Sequence, residues 1–208
     1  MTVVEGAKGG GLPQRVQNML LRPSAEWDVI DGEPATVAGL MSGYVAILAA
    51  IGPIATILIT LLIGRWLLIL VIAQQVVAYM LSFVGVYIVS FIVDALAPSF
   101  GVQKNHIQSM KLITYANTAA WVAGVFNLIP IAGVLGVLAG GIYSLYTLYI
   151  GFPKVMKSAE DKTMGYFLAT LGLTIAFYVV VAIVLWVISL VIAVGAMATG
   201  AAAVGAFH

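Results

Sequence analysis

The sequence predicts an all-α integral membrane protein, a bundle of five transmembrane helices with a short amphipathic N-terminal segment, and three observations predict it. The 208 residues are 62% hydrophobic and 8% charged, with mean hydropathy +1.12, which no soluble domain of that length sustains. Uncharged runs of 27 residues (Val37–Ile63), 27 (Leu67–Val93), 42 (Leu112–Pro153) and 44 (Met164–Phe207) follow one another, each long enough to cross a bilayer. The basic residues, finally, collect in alternate gaps between those runs. The net charge of +1 leaves no electrostatic footprint for nucleic acid, and the absence of cysteine excludes disulfides and thiolate metal sites.

Residues 1–35 lack the short apolar core of a signal peptide. Within them Leu12, Val16, Met19 and Leu20 fall at helical spacing behind Pro13, a residue suited to a helix start, with Gln14, Arg15, Gln17 and Asn18 between. An interfacial amphipathic helix is expected there, and a further turn or two from Ser24 would present Ile30 and Trp27, a headgroup anchor. A mostly disordered leader is the alternative. The membrane domain then covers 36–208, with spans at about 37–63, 67–94, 107–129, 131–152 and 164–194.

In the first span Pro53, after Gly52, withdraws a backbone donor and crowds the carbonyl of Ala49, so a kink is expected. Arg65 and Trp66 mark an interface, and Asp94 closes the second span. The 97–106 connection is a loop by its Pro, Gly and polar content. The 42-residue run would be about 60 Å long as a single helix, about twice the hydrocarbon thickness, so it must fold back. Only Asn127–Gly133 offers the turn, because Pro130 disfavours helix at Ile129 while Asn127 and Gly133 can cap and reverse the chain. The second arm of this hairpin carries Ala132, Gly136, Gly140 and Ser144 at spacing four, a small-residue stripe for helix packing. The last run reads as a strong helix to about Val194, with a Gly/Ala-rich remainder that is either a weak extension or a loose tail.

Five spans permit a charge count. With the N-terminus cytoplasmic, Lys8, Arg15, Arg22, Lys104, Lys111, Lys154, Lys157 and Lys162 lie inside and Arg65 alone outside, a bias of eight to one. The positive-inside rule therefore puts the N-terminus in the cytoplasm and the C-terminus outside.

The segment Leu20-Leu-Arg-Pro-Ser-Ala-Glu-Trp27, five spans and the run Ile142-Tyr-Ser-Leu-Tyr-Thr-Leu-Tyr-Ile-Gly-Phe-Pro-Lys-Val-Met156 together resemble the Yip domain family of Ypt-interacting membrane proteins, in its prokaryotic branch, from about Leu20 to Val194. The resemblance implies a multi-pass protein of a prokaryotic cytoplasmic membrane. Eukaryotic members are implied to work in vesicle trafficking through Rab GTPases and in membrane shaping. Their Asp-Leu-Tyr-Gly-Pro leader signature is absent here, and a Rab-type GTPase partner is accordingly not expected.

Residues for chemistry are few. There is no phosphate-cradling loop, no pair of carboxylates within a span and no Ser/His/Asp set, and only His106 and Asp94 could approach a metal. No enzyme activity, cofactor or metal is expected. The candidate intramembrane polar cluster comprises Gln74 and Gln75 of the second span, Asp94 at its end, Gln108, Lys111, Tyr115, Asn117 and Thr118 of the third, and Tyr143 and Tyr146 of the fourth. One reading is an interhelical hydrogen-bond network, each bond contributing about 0.6 to 2 kcal/mol. The other is a polar pathway, which would make the protein a small-solute or ion transporter or channel. Against that, only Gly52-Pro53 breaks a helix and no repeat is visible. Asp94 is expected to pair as a latch with Lys111, at similar depth, or failing that with Lys104 across the 95–103 connection, the alternative being that it only caps the helix end beside headgroups. The expected partners are the lipid bilayer and a membrane protein or a second copy of the chain, with no nucleic acid.

Overall fold

The computed structural model describes residues 11–205, with side chains described up to Val187 except that of Pro130. Lys8 and His208 lie outside the described residues. Every regular element among the described residues is a helix or helical turn, with no strand. Two compact units divide the chain, Met1–Thr170 and Leu171–His208.

In the first unit the leader forms two helices, α1 (Leu12–Leu21) and α2 (Pro23–Gly32). Each opens with a proline in its first turn, where the missing N–H has no partner to lose. The first long helix, α3 (Val37–Ile63), starts at Thr36, whose hydroxyl accepts from the Gly39 amide. It passes through a π turn at Met41–Val45 and is interrupted at Ala49 and Ala50, one turn ahead of Pro53. Helix α4 (Leu68–Leu96) returns and ends in a 3₁₀ turn that Gly101 closes at φ 75°, a left-handed conformation suited to glycine. Next come α5 (His106–Ala116), α6 (Thr118–Ala123) and a 3₁₀ turn, Gly124–Leu128. Helix α7 (Pro130–Gly151) runs on into a π turn, and α8 is Glu160–Gly205.

Among the described residues four helices are long and apolar enough to cross a membrane: Val37–Ile63, Arg65–Phe100, Ile131–Met156 and Glu160–Val187. The expected span at 107–129 is not among them, because it is divided at Asn117. There the side chain turns back to the Ile113 carbonyl at 2.8 Å, and Thr118 does the same to the Tyr115 carbonyl at 2.6 Å. The two groups that would close the Ala120-to-Ala116 turn are met from α7. Ser144 Oγ accepts the Ala120 amide at 3.0 Å, and the Thr147 hydroxyl donates to the Ala116 carbonyl at 3.1 Å. The break costs little because the neighbouring helix satisfies both its ends.

Close contacts of small residues hold the hairpin. A Cβ on Gly140 would lie 2.5 Å from the Ala123 Cβ and 2.8 Å from the Ala119 carbonyl oxygen, and one on Gly136 would meet the Phe126 ring, whereas Gly141 faces open space. Ala132, one step toward the turn, is half-buried. Gly124 approaches Gly52 of α3 so closely that a Cβ would lie 2.7 Å from the Gly52 Cα. Asn127 of the turn donates to Thr56.

The core of this unit is concentrated at the leader end. Met19, Trp27, Ile30, Val45, Val93, Met110, Leu112, Phe152 and Tyr166 are buried together. Near Arg65 the side chains of Leu62, Ile63, Trp66, Ile69 and Ile131 are exposed, as a lipid solvent permits. In the second unit the helix is continuous to Gly205, and Leu173, Ile175, Val180 and Trp186 are exposed. The 195–205 stretch is thus a helical extension.

Candidate functional site

The polar side chains converge where the leader meets the α5–α7 hairpin. Trp27 is the anchor. It has no exposed surface, its Nε1 donates to the Thr147 carbonyl at 3.0 Å, and its ring meets Tyr115 edge-on with centroids 6.5 Å apart. Gly151 makes the room, since a Cβ there would lie 2.8 Å from Trp27 and 2.5 Å from Leu112. Met19 and Ile30 are buried in the same core. The expected headgroup anchor is thereby corrected. Trp27 is inserted into protein, because its indole N–H finds a helix carbonyl and its ring finds a slot prepared by glycine.

Around that ring lies a buried charge network. Arg15, 7% exposed, donates through Nη1 to Glu26 and through Nη2 to both oxygens of Glu33, while Asn18 donates to the other Glu26 oxygen at 2.8 Å. Its guanidinium lies 5.6 Å from the Tyr115 ring centroid. Burial alone would pull the guanidinium pKa down, but its hydrogen bonds to Glu33 and the charges of Glu33 and Glu26 outweigh it and hold the value above the ordinary one. Arg15 remains a cation and fixes α1 to both ends of α2.

Lys111 closes the other side. Its ammonium enters the C-terminal end of α2 and donates to the carbonyls of Ile30 at 2.9 Å, Asp31 at 3.3 Å and Glu33 at 2.5 Å. The Ile30 carbonyl also accepts the Glu33 amide at 3.3 Å, while those of Asp31 and Glu33 lie at the helix end, and a cation there complements the helix dipole. Gln108, one turn earlier, donates to the Asp31 carbonyl and carboxylate. The expected latch is thus corrected. Lys111 is committed to α2, no ion pair joins it to Asp94 among the described residues, and Asp94 Oδ1 is buried without a hydrogen-bond partner. The α2 carbonyls offer Lys111 three acceptors at once, which one carboxylate on α4 does not.

At the rim Lys154 pairs with Asp28 at 2.6 Å and Lys157 with Asp31, in exposed positions. Deeper, the Tyr143 hydroxyl donates to the Leu20 carbonyl, and the Tyr44 and Thr118 hydroxyls share a 2.7 Å hydrogen bond beside the edge-on Tyr44–Tyr115 pair. Of the sequence-selected residues, Gln108, Lys111, Tyr115, Thr118 and Tyr143 therefore belong to this cradle. Asn117 serves its own helix break, and Tyr146 is half exposed against Tyr143. Gln74 is exposed and Gln75 half-buried near the Trp66 end of α4, neither hydrogen-bonded to the cluster among the described residues.

The cradle's other half, Arg15, Glu26, Asp28, Asp31 and Glu33, reads in the sequence as a solvated leader. One signal could have found it: Asp28 and Asp31 are three apart, as are Lys154 and Lys157, so two facing helical segments can pair both at once. Among the described residues no group of three His, Asp or Glu side chains gathers that could hold a metal. The arrangement holds the chain's own leader, with the leader carboxylates, Lys111, Gln108 and the Tyr143 hydroxyl engaged in that task.

A family model of the Yip1 domain matches residues 18–184, which takes in Trp27, Glu26, Glu33, Lys111, the hairpin and the 152–156 turn. No curated protein and no solved structure matches the chain. With the family model covering most of its length and apolar helices crossing the bilayer, the chain belongs to the Yip1 domain family of multi-pass membrane proteins.

Proposed function

We propose that the protein is a non-enzymatic membrane organiser, in which the docked leader thickens one end of the first unit and so imposes a wedge on the surrounding bilayer. The observation that carries this reading is the engagement of the polar side chains. Lys111, Arg15, Gln108, Tyr143 and Thr147 each bond leader or helix backbone or a leader carboxylate, which leaves the cradle as structure and favours it over a solute pathway. The stretch 106–128 acts as an interrupted fifth crossing, with the leader cytoplasmic and the C-terminus outside, because that arrangement keeps the eight-to-one bias of basic residues.

The exposed Asp28–Lys154 and Asp31–Lys157 pairs support a second role for this rim, as a surface on which a membrane protein or a second copy docks. Reconstitution tests the main reading. Vesicles carrying rising amounts of protein should become smaller or tubular in electron micrographs and should show no flux of ions or small solutes. Selective flux with unchanged vesicle shape would establish the transporter reading instead.

A further inference from the structure

Between the leader and the first membrane helix lies a groove of about 510 Å³, walled by Val16, Leu20 and Leu21 of α1, Ile47 and Ile51 of α3, and Val122 of α6. Gln17 is the only polar side chain in its lining. Water in such a space has almost nothing to bond. One wall is a membrane-crossing helix, and at the mouth Leu21 is 69% and Ile47 52% exposed, so the space opens toward the bilayer. Arg22, the next residue after Leu21, is exposed and stands outside the four ion pairs found among the described residues.

We propose that this groove is a lipid-binding site, taking one acyl chain of an anionic glycerophospholipid whose phosphate is held by Arg22. The apolar walls match a hydrocarbon chain, which gains dispersion contacts there and leaves no polar group unpaired. The guanidinium matches a phosphate in geometry and charge. Arg22 follows Leu21 of the apolar wall directly in the chain, so the cation is carried at the end of that wall, as a lipid carries its phosphate at the end of its chains. This site is separate from the Asp28–Lys154 rim, and the binding stands whether or not the protein bends membranes.

Native mass spectrometry of the full chain in detergent tests it, with dioleoyl phosphatidylglycerol and dioleoyl phosphatidylcholine as competing probes. The wild type should retain one phosphatidylglycerol per chain with a preference of about fivefold, the ratio that corresponds to ~1 kcal/mol for one basic side chain at the membrane surface. Arg22→Gln should keep the lipid and lose the preference. Leu21→Glu, at an exposed position, should lose retention by setting a carboxylate in the mouth; Ile47→Trp fills the groove instead, should Leu21→Glu fail to fold by circular dichroism. Leu62→Glu, on the exposed surface near Arg65, should retain lipid as the wild type does. Equal retention in wild type and both groove variants would overturn the proposal, as would loss in Leu62→Glu, no headgroup preference in the wild type, or a bound mass that is a free fatty acid or a peptide.

Discussion

Replacing Trp27 with alanine removes the largest side chain buried between leader and hairpin, and its cost follows from what it touches. A fully buried tryptophan truncated to alanine costs about 3 to 5 kcal/mol in lost transfer energy and cavity, and the hydrogen bond to the Thr147 carbonyl is a further contribution of ~1 kcal/mol. The slot cannot easily collapse, because Gly151 and Leu112 on its far side belong to two different packed helices. Taking ~3 kcal/mol as the part that falls on leader docking, the undocked population rises about a hundredfold. Trypsin reads this opening directly. The bond after Arg15 lies in α1, with the Arg15 side chain engaged by Glu26 and Glu33, and is cleavable only from an open state. In detergent, Trp27→Ala should be cut there about a hundred times faster than wild type, and Trp27→Phe, which keeps a ring and loses the N–H, about five times faster. Equal cleavage rates in all three proteins would refute the docking of the leader by Trp27.

Three other outcomes follow from the same contacts. Gly140→Leu should clearly lower the thermal midpoint in detergent, since its side chain must displace Ala119 and Ala123, while Gly141→Leu, facing open space, should change it little. Asp94→Lys combined with Lys111→Asp should show no recovery over the single variants in the same melting assay, because the partners of Lys111 are the α2 carbonyls. Arg15 stands above its ordinary pKa, so its contribution is fully present below that value and is lost only as pH rises through the still higher folded one; the Arg15→Met loss in thermal midpoint in detergent should therefore be the same at pH ~6 and pH ~9.

The apolar runs read correctly as long helices because in a membrane the backbone must satisfy itself and hydrophobicity alone marks the crossing segments. The fold-back at Asn127–Gly133 was equally legible, since Pro130 cannot sit inside a helix and in fact begins α7. The sequence predicts one helix at 107–129, and the structure divides it. Asn117 and Thr118 stand out in the sequence as polar residues, but whether they bond a preceding carbonyl and break the helix depends on Ser144 and Thr147 of the neighbouring helix, which meet the freed backbone groups.

The sequence leaves the leader open between an interfacial helix and a mostly disordered segment, and the structure makes it two helices packed into protein. Arg15, Glu26 and Glu33 have the composition of a solvated surface, and only their mutual pairing lets them be buried. Lys111 carried the opposite difficulty. Its place about one turn into an apolar run is plain in the sequence, yet backbone carbonyls at a helix end leave no trace in side-chain identity, so a carboxylate is the partner the sequence suggests.

That the leader is clamped onto the hairpin is the central claim, and the two rim pairs let it be measured without altering the chain. In native membranes a zero-length carbodiimide joins a lysine to a carboxylate only when the two are in contact. Peptide mass spectrometry should then find isopeptide links between Lys154 and Asp28 and between Lys157 and Asp31, the pairs that meet in the docked leader. Links from Asp28 and Asp31 to other lysines, with these two pairs missing, would contradict it.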